Sequence, residues 1–148
     1  KVLRDDEMLY DRDQAFGGSQ FTQLISRQYG FSFEEAEQKK LGGDLPEDYE
    51  SAILGPFVDS LSQEIGRALQ YFFTSTPHHK VHYVMLAGGT ATLPGLKERV
   101  TDLTGFASMV VNPFEHMKLG SSVRENKVRR EAPSYLTACG LAMRRFMQ

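Results

Sequence analysis

The sequence lacks the features that mark secreted, membrane-spanning or nucleic-acid-binding proteins. Its one cysteine, Cys139, excludes an internal disulfide and is compatible with a reducing compartment. No apolar run approaches the length that crosses a bilayer, and the first residues contain no signal-peptide core. A formal net charge of −2 argues against a nucleic-acid binder, because such proteins usually carry a basic excess.

Length and composition indicate one ordinary folded domain. The 148 residues are 41% hydrophobic and 11% aromatic, which suits a chain with a real core and not a disordered one. The chain has no initiator methionine and starts within a predicted strand. We therefore interpret it as a piece of a longer protein.

Short apolar runs that alternate with helical periodicity predict an α/β fold containing at least part of a mixed sheet. A hairpin is predicted at residues 2–10 around a polar turn at 4–7, with its second strand running on to Phe16. Hydrophobic period and capping signals predict a first helix at 19–30, with Ser19 as its N-cap. Further helices are predicted at 32–40, 56–73, 96–103 and 133–146. Strands are predicted at 81–87 and 108–111.

The most informative segment is the turn Gly88-Gly89-Thr90, which follows an apolar strand and precedes a second turn, Leu93-Pro94-Gly95. Glycines let the backbone approach a ligand, and their N–H groups can face its polar atoms. The spacing fits neither a Walker A loop nor the G-x-G-x-x-G fingerprint. A nucleotide-facing turn and a tight turn without a ligand both remain open at this point.

Two charged residues on the second predicted helix form the next candidate site. Glu37 and Lys40 are spaced i,i+3 and so lie on one helix face. Such a pair can hydrogen-bond ribose hydroxyls or an adenine edge. The alternative is an ordinary solvated ion pair, which is the commoner outcome.

Other chemistry-bearing residues have plainer interpretations. The histidines at 78, 79 and 82 do not have the spacing of a metal site, and Cys139 is predicted to be a small core residue. The polar segment 115–131 is predicted to be a solvated, mobile loop, although its cations leave an anionic membrane surface or partner open: Lys118, Arg124, Lys127, Arg129 and Arg130.

Together these motifs resemble the C-terminal part of the PilM family, FtsA-like members of the actin superfamily that act in bacterial type IV pilus assembly. Asn112-Pro113-Phe114 and the C-terminal Cys-Gly-Leu-Ala-Met run favour PilM over FtsA. The resemblance covers essentially the whole chain and rests on an ordered set of motifs: Phe16–Thr22, Ala36–Lys40, Leu86–Ala91, Leu93–Gly95, Val111–Phe114 and Ala138–Met143.

The resemblance implies an actin/ribonuclease H-like fold, of which residues 1–148 are the C-terminal lobe, with a central mixed sheet and flanking helices. It implies an inserted, mainly helical subdomain at 19–80 and a last helix at 133–148 that returns to the first lobe. It assigns adenosine binding to Gly88, Gly89 and Thr90, base and ribose contacts to Glu37 and Lys40, and a place near the cleft to Gly17 and Gly18.

The resemblance also implies ATP with Mg²⁺ as the cofactor of the full-length protein. Both phosphate loops of the family are absent from this sequence, so we expect the chain alone to bind ATP weakly or not at all. No residue is assigned a catalytic role and no metal ligand is predicted.

By the same resemblance, the expected partner is the N-terminal cytoplasmic tail of PilN, and the main groove that binds this tail lies on the other lobe. The expected location is the cytoplasmic side of the inner membrane, and the expected process is twitching motility. A homodimer through an exposed strand edge is a further expectation. The alternatives are a small-molecule kinase of the same superfamily and an FtsA-like cell-division filament protein.

Overall fold

The computed structural model describes residues 1–5 and 7–146, so that Asp6 of the predicted turn and the last two residues of the predicted C-terminal helix lie outside the described residues. The chain divides between Lys80 and Val81 into two compact units.

The first unit contains a hairpin followed by helices. Its two strands are antiparallel, and the turn contains Asp5 with a φ of 54°. The elements are β1 (Val2–Arg4), β2 (Glu7–Tyr10), α1 (Gly18–Tyr29), α2 (Phe33–Gly42), a π-helical turn (Glu50–Leu54) and α3 (Gly55–Ser75).

Two boundaries in this unit differ from the predicted ones. Strand β2 ends at Tyr10 and does not continue to Phe16, because residues 11–15 have no ladder partner in the described structure. Helix α1 begins one residue before Ser19, with Gly17 as its N-cap, and the Gln20 side chain accepts a hydrogen bond from the Gly17 N–H group at 3.4 Å. Ser19 is therefore inside the helix and is not its cap.

Aromatic rings form the core of the first unit. Phe21 of α1 and Phe57 of α3 are buried with ring centroids 4.5 Å apart, and Phe16 stacks on Phe57 at 5.3 Å. At the other end of α3, the ring of Phe72 is buried and lies 5.6 Å from that of Tyr10. The apolar stripe predicted for α3 is confirmed, and it holds the hairpin and the first helix to one long helix.

The second unit is built on a β-α-β motif. Strands β3 (Tyr83–Leu86) and β4 (Ala107–Val110) are parallel, with Tyr83 opposite Ala107, and are connected through α4 (Leu96–Thr104). Leu86, Leu96 and Val100 are buried, as a crossover helix packed on its own strand pair requires. The α/β class is confirmed, and the described strands form two separate pairs, one antiparallel and one parallel.

The C-terminal part of this unit differs from its prediction in two places. The segment predicted to be a solvated loop contains a helix, α5 (Glu125–Glu131), which an i,i+4 ion pair between Glu125 and Arg129 stabilises. The predicted last helix is divided into a 3₁₀ turn (Ala132–Tyr135), α6 (Leu136–Met143) and a second 3₁₀ turn (Arg144–Phe146). Its apolar residues are largely exposed.

Candidate functional site

In the first unit, a threonine, a glutamate and a lysine form a hydrogen-bonded cluster on two packed helices. Lys40 Nζ lies 2.6 Å from Glu37 Oε2 and 2.8 Å from Thr22 Oγ1, and Thr22 Oγ1 lies 2.5 Å from the same carboxylate oxygen. Glu37 and Lys40 lie on one face of α2, as their spacing predicts. We call Thr22, Glu37 and Lys40 the α1–α2 cluster.

Local sequence signals position this cluster. Helix α1 ends at Tyr29 and is capped by Gly30, which has a φ of 70°, and α2 begins just after its N-cap Ser32. Ser32 Oγ accepts from the Glu35 N–H group at 3.2 Å, and the Glu35 carboxylate accepts from the Ser32 N–H group at 2.8 Å. This reciprocal capping box fixes where α2 starts and thus which of its residues face α1.

The Thr22 hydroxyl has more acceptors than it has protons. Its oxygen lies 2.5 Å from Glu37 Oε2 and 3.1 Å from the Gly18 carbonyl oxygen, yet a hydroxyl donates only one hydrogen. The Lys40 ammonium donates to the same hydroxyl oxygen, so the proton of Thr22 is directed to an acceptor on the carboxylate or the carbonyl. Thr22 is fully buried, and its position is therefore fixed by packing as well as by hydrogen bonds.

The electrostatics of the cluster favour an ionised carboxylate. Burial alone would raise the pKa of Glu37, but the hydrogen bonds from Lys40 and Thr22 and the charge of Lys40 outweigh it and hold that pKa below its ordinary value. The side chain of Lys40 is only 18% exposed, whereas that of Glu37 is 40% exposed. The cluster therefore differs from a simple solvated ion pair: its lysine is largely enclosed, and its carboxylate reaches solvent.

The predicted glycines next to this cluster have unequal roles. Gly18 contributes its carbonyl oxygen to Thr22. Gly17 has an extended backbone with a φ of 175°, which any residue adopts, and a Cβ there would meet no atom within 4 Å. The structure thus connects Gly18 to the α1–α2 cluster and gives Gly17 no conformational reason to be glycine.

In the second unit, the Gly88-Gly89-Thr90 turn follows β3 as predicted and is fixed to the segment before α6. Gly88 has a φ of 90° and a ψ of 174°, a region almost restricted to glycine. Its N–H group donates to the carbonyl oxygen of Pro133 at 2.9 Å and is thus not available to a ligand. Gly89 and Thr90 begin a 3₁₀ turn (Gly89–Thr92), whose first N–H groups have no intrahelical acceptor.

Two residues next to the predicted site were not identified from the sequence. Ser134 is the residue nearest to Gly89, because a Cβ on Gly89 would lie 3.7 Å from Ser134 Oγ. Thr22 belongs to the motif Phe16–Thr22, from which no role for its hydroxyl is predicted. Its i,i+3 spacing from the buried Ile25 places a hydroxyl on the packed face of α1, and that was a signal in the sequence.

The remaining candidates form no site. Within residues 1–5 and 7–146, no group of three or more histidine, cysteine or carboxylate side chains is arranged to hold a metal ion. Cys139 is half-buried and not in the core as predicted.

The sequence matches the family described as type IV pilus assembly protein PilM over residues 1–146. The chain belongs to the PilM family. It is also similar to a solved structure described as a PilM-PilN type IV pilus biogenesis complex, with 30% identity, a TM-score of 0.66 and 87% of this chain covered. The chain spans 37% of that longer chain. The resemblance inferred from the motifs is confirmed, and neither the kinase nor the cell-division alternative is better supported.

In this PilM-family chain, the two motifs that favoured PilM over FtsA contact each other. The Asn112 side chain accepts from the Phe114 N–H group at 3.0 Å, which makes a local turn, and the ring of Phe114 lies 5.9 Å from that of Tyr135. The Cys139 Sγ lies 3.9 Å from the carbonyl oxygen of Pro113. The Asn-Pro-Phe motif therefore positions the start of α6.

None of the helices in the described part of this PilM-family chain has the length and apolarity to cross a membrane.

Proposed function

We propose that this PilM-family chain contributes the adenosine-binding part of an ATP site in a type IV pilus assembly protein. The α1–α2 cluster carries the proposal, because it presents a fixed ammonium and an ionised carboxylate at a partly exposed position. The Gly88-Gly89-Thr90 turn supports it separately through Gly89 and Thr90, whose N–H groups have no intrahelical acceptor, whereas that of Gly88 donates to Pro133.

The chemistry of the cluster suits a ribose and a base. An ammonium has three donors, and Lys40 uses two of them on Thr22 and Glu37, which leaves one for a ring nitrogen or a ribose oxygen. Within the described residues, both bonds to Glu37 use Oε2, so that Oε1 is available to accept from a ribose hydroxyl.

The ionised Glu37 carboxylate suits a ribose hydroxyl and would repel a phosphate group. When bound, ATP with Mg²⁺ would present its phosphates to loops that this sequence does not contain. The residues described here would bind and orient the sugar and base, and none of them is assigned a proton transfer. We therefore propose that the chain alone is a binding module and does not catalyse hydrolysis.

The proposed partner and location follow from the relatives. The similar solved structure is a complex with PilN. We propose that the whole protein containing this chain assembles with the cytoplasmic tail of PilN and is thereby held at the inner membrane, and that it contacts other pilus assembly proteins.

The proposed domain organisation rests on α6. This helix contains no charged residue, yet none of its residues is buried in the structure. A helix that is apolar on every side is normally surrounded by protein. We propose that residues 133–148 pack on the first lobe of the longer protein, that 19–80 form its inserted helical subdomain, and that residues 1–148 make up its C-terminal lobe.

Nucleotide titration of the full-length protein tests the site. We expect Lys40→Ala to weaken binding about ten-fold or more, since it removes a charge-assisted hydrogen bond and frees its partners. Lys39→Ala is the matched control, because Lys39 lies on the same helix and pairs with the exposed Asp44 at 2.8 Å.

Gly89→Val should weaken binding through steric contact with Ser134 and the ligand. Unchanged affinity in both variants would contradict the assignment.

Calorimetric titration of the 148-residue chain with Mg-ATP tests whether this chain can bind the nucleotide without the phosphate loops. Weak binding or none is expected, and a micromolar Kd would contradict it.

The exposed hairpin supports one further proposal, a homodimer. A two-stranded sheet has unpaired edges, and Leu3 and Met8 on β1 and β2 are exposed. Sedimentation velocity of the chain at rising concentration should show dimers, and a monomeric mass throughout would count against this proposal.

A further inference from the structure

An open groove of about 400 Å³ lies in the first unit, apart from every residue proposed for nucleotide binding. We call it the Arg12 groove. It is lined by Arg12, Gln14, Glu64, Arg67, Gln70, Tyr71 and Thr74.

One stripe of α3 forms the floor of the Arg12 groove. Glu64, Arg67, Tyr71 and Thr74 follow one another at intervals of three or four residues and therefore share a helix face. The opposite wall is the segment after β2, which contributes Arg12 and Gln14, and the end of β2 contacts the helix through the Tyr10–Tyr71 ring pair at 6.3 Å. The groove thus has a helical floor and a wall formed by the segment after β2.

Arg12 offers unused hydrogen-bond donors. Its guanidinium carbon lies 4.4 Å from the centre of the Tyr71 ring, and stacking of this kind uses the face of the guanidinium and leaves the donors in its plane. Within residues 1–5 and 7–146, no carboxylate forms a salt bridge with Arg12. The neighbouring Asp11 pairs with Lys1 at 2.6 Å and does not line the groove.

Arg67 already binds a carboxylate of its own helix. Its Nε and Nη2 both donate to the carboxylate of Glu64, a two-pronged geometry that matches arginine to carboxylates. Both side chains are partly exposed, and exposed ion pairs contribute little to stability. Glu64 is therefore an internal carboxylate that an incoming one can replace at small cost.

We propose that the Arg12 groove binds an acidic linear segment of a partner protein. One carboxylate of the segment binds Arg12, a second competes with Glu64 for Arg67, and a neighbouring apolar side chain lies against the exposed part of Tyr71, a residue that is 51% exposed beside the stacked Arg12 guanidinium. Charge complementarity supports this occupant: the groove contains two guanidinium groups and one carboxylate. A groove of this size also exceeds what a single small anion fills.

Nuclear magnetic resonance titration of the 148-residue chain tests the proposal. The probe is the capped peptide Leu-Glu-Glu-Leu, and its matched control is Leu-Gln-Gln-Leu. The Nε–H resonances of Arg12 and Arg67 are the site-specific readout. The acidic peptide should shift both signals, the amide peptide should not, and acetate at equal carboxylate concentration should shift them far less.

Charge variants of opposite sign sharpen the test. Arg12→Gln and Arg67→Gln should each weaken binding of the acidic peptide about five-fold or more, because each removes a charge-assisted contact. Glu64→Gln should strengthen binding about two-fold or more, because it frees the Arg67 donors. Arg27→Gln, the same charge change on an exposed residue of α1 outside the groove, should leave binding unchanged.

Three results would overturn the proposal. The first is equal shifts with both peptides, and the second is shifts with acetate as large as those with the acidic peptide. The third is a Glu64→Gln variant that binds no more tightly, or weakens as Arg12→Gln does. Since no nucleotide-site residue lines the groove, these outcomes are independent of the ATP proposal.

Discussion

The glycines predicted to approach a nucleotide differ in what their backbone requires. Gly88 has a φ of 90°, which side chains rarely adopt, whereas Gly17 is extended and Gly89 has a Cβ direction with ordinary contact distance to Ser134. A Gly-Gly pair in a sequence therefore does not mean that both positions need glycine. In the Gly88-Gly89 pair, only Gly88 has a backbone conformation that favours glycine.

Paired alanine substitutions measure that difference. We expect Gly88→Ala to lower the free energy of unfolding by about 1–3 kcal/mol, the cost of a side chain in a region nearly restricted to glycine. Gly89→Ala should be close to neutral, because the nearest atom to its new methyl group is 3.7 Å away. Urea denaturation followed by circular dichroism compares the two. Equal losses would contradict the backbone argument.

The Glu37 carboxylate makes a prediction about pH. Its pKa is lowered in the folded chain, so the stability it contributes is complete above the ordinary pKa of 4.5 and is lost as the pH falls through the lowered value. Lys40→Met should raise the pKa of Glu37, because burial then acts without the opposing ammonium. Carboxyl carbon shifts in an NMR titration report this pKa. An unchanged value in Lys40→Met would show that Lys40 is not its cause.

Among the elements, α2 is the one whose start matters most to the α1–α2 cluster. Its capping box was predicted from Ser32 and Glu35, and both reciprocal hydrogen bonds are present. Glu35 accepts from the backbone N–H group of Ser32, which lowers the pKa of its carboxyl group.

Removing this cap should weaken α2 specifically. Ser32→Ala is expected to lower the free energy of unfolding by about 1 kcal/mol, the usual loss for a serine N-cap. Ser19→Ala is the matched control, because Ser19 is exposed within α1 and caps nothing. Its effect should be neutral or slightly stabilising, since alanine has the higher helix propensity. Similar losses in both variants would show that the Ser32 cap is unimportant.

Local signals predicted where helices end better than where strands end. Gly30, Gly43 and Gly105 all end helices in the left-handed conformation, and Pro56 lies in the first turn of α3, so capping and proline geometry could be read from the chain. The β2 boundary was wrong because an apolar residue, Phe16, was assigned to a strand when it packs on a helix. Strand ends depend on ladder partners that are distant in sequence.

The candidate site was predictable only in part for a similar reason. The i,i+3 spacing of Glu37 and Lys40 follows from helix geometry, but their contact with Thr22 depends on how α1 and α2 pack. The hydrogen bond from the Gly88 N–H group to the Pro133 carbonyl joins residues 45 positions apart, so no local sequence pattern predicts it. Helix α5 was missed because a short helix of charged residues has no apolar period to reveal it.

For the whole molecule, the distribution of apolar residues is uneven. Leu96 and Val100 are fully buried in the second unit, whereas Leu136, Leu141 and Met143 of α6 in the same unit are each at least 40% exposed. Apolar residues on this one helix therefore add little to the stability of the chain as it stands.

Two leucine truncations compare these environments. Leu96→Ala should lower the free energy of unfolding by about 2–5 kcal/mol, as buried leucines do. Leu141→Ala, in the same unit but 59% exposed, should change it by no more than about 0.5 kcal/mol. In the full-length protein, Leu141→Ala should become costly if α6 packs on the first lobe. A large loss in the 148-residue chain would show that α6 is already packed.

The π-helical turn before α3 has a consequence for insertions and deletions. Each residue of an α-helix turns the chain by about 100°. Adding or removing one residue therefore rotates all later side chains of the helix by about 100° around its axis. Gly55 stands where this wide turn joins α3, and a Cβ there would lie 3.3 Å from the Glu50 carbonyl oxygen. Deleting one residue from Glu50–Leu54 would favour a regular α-helix and change the rotational phase of α3, so that the Arg12 groove stripe could face its wall only if the buried Phe57 and Phe72 left their own neighbours.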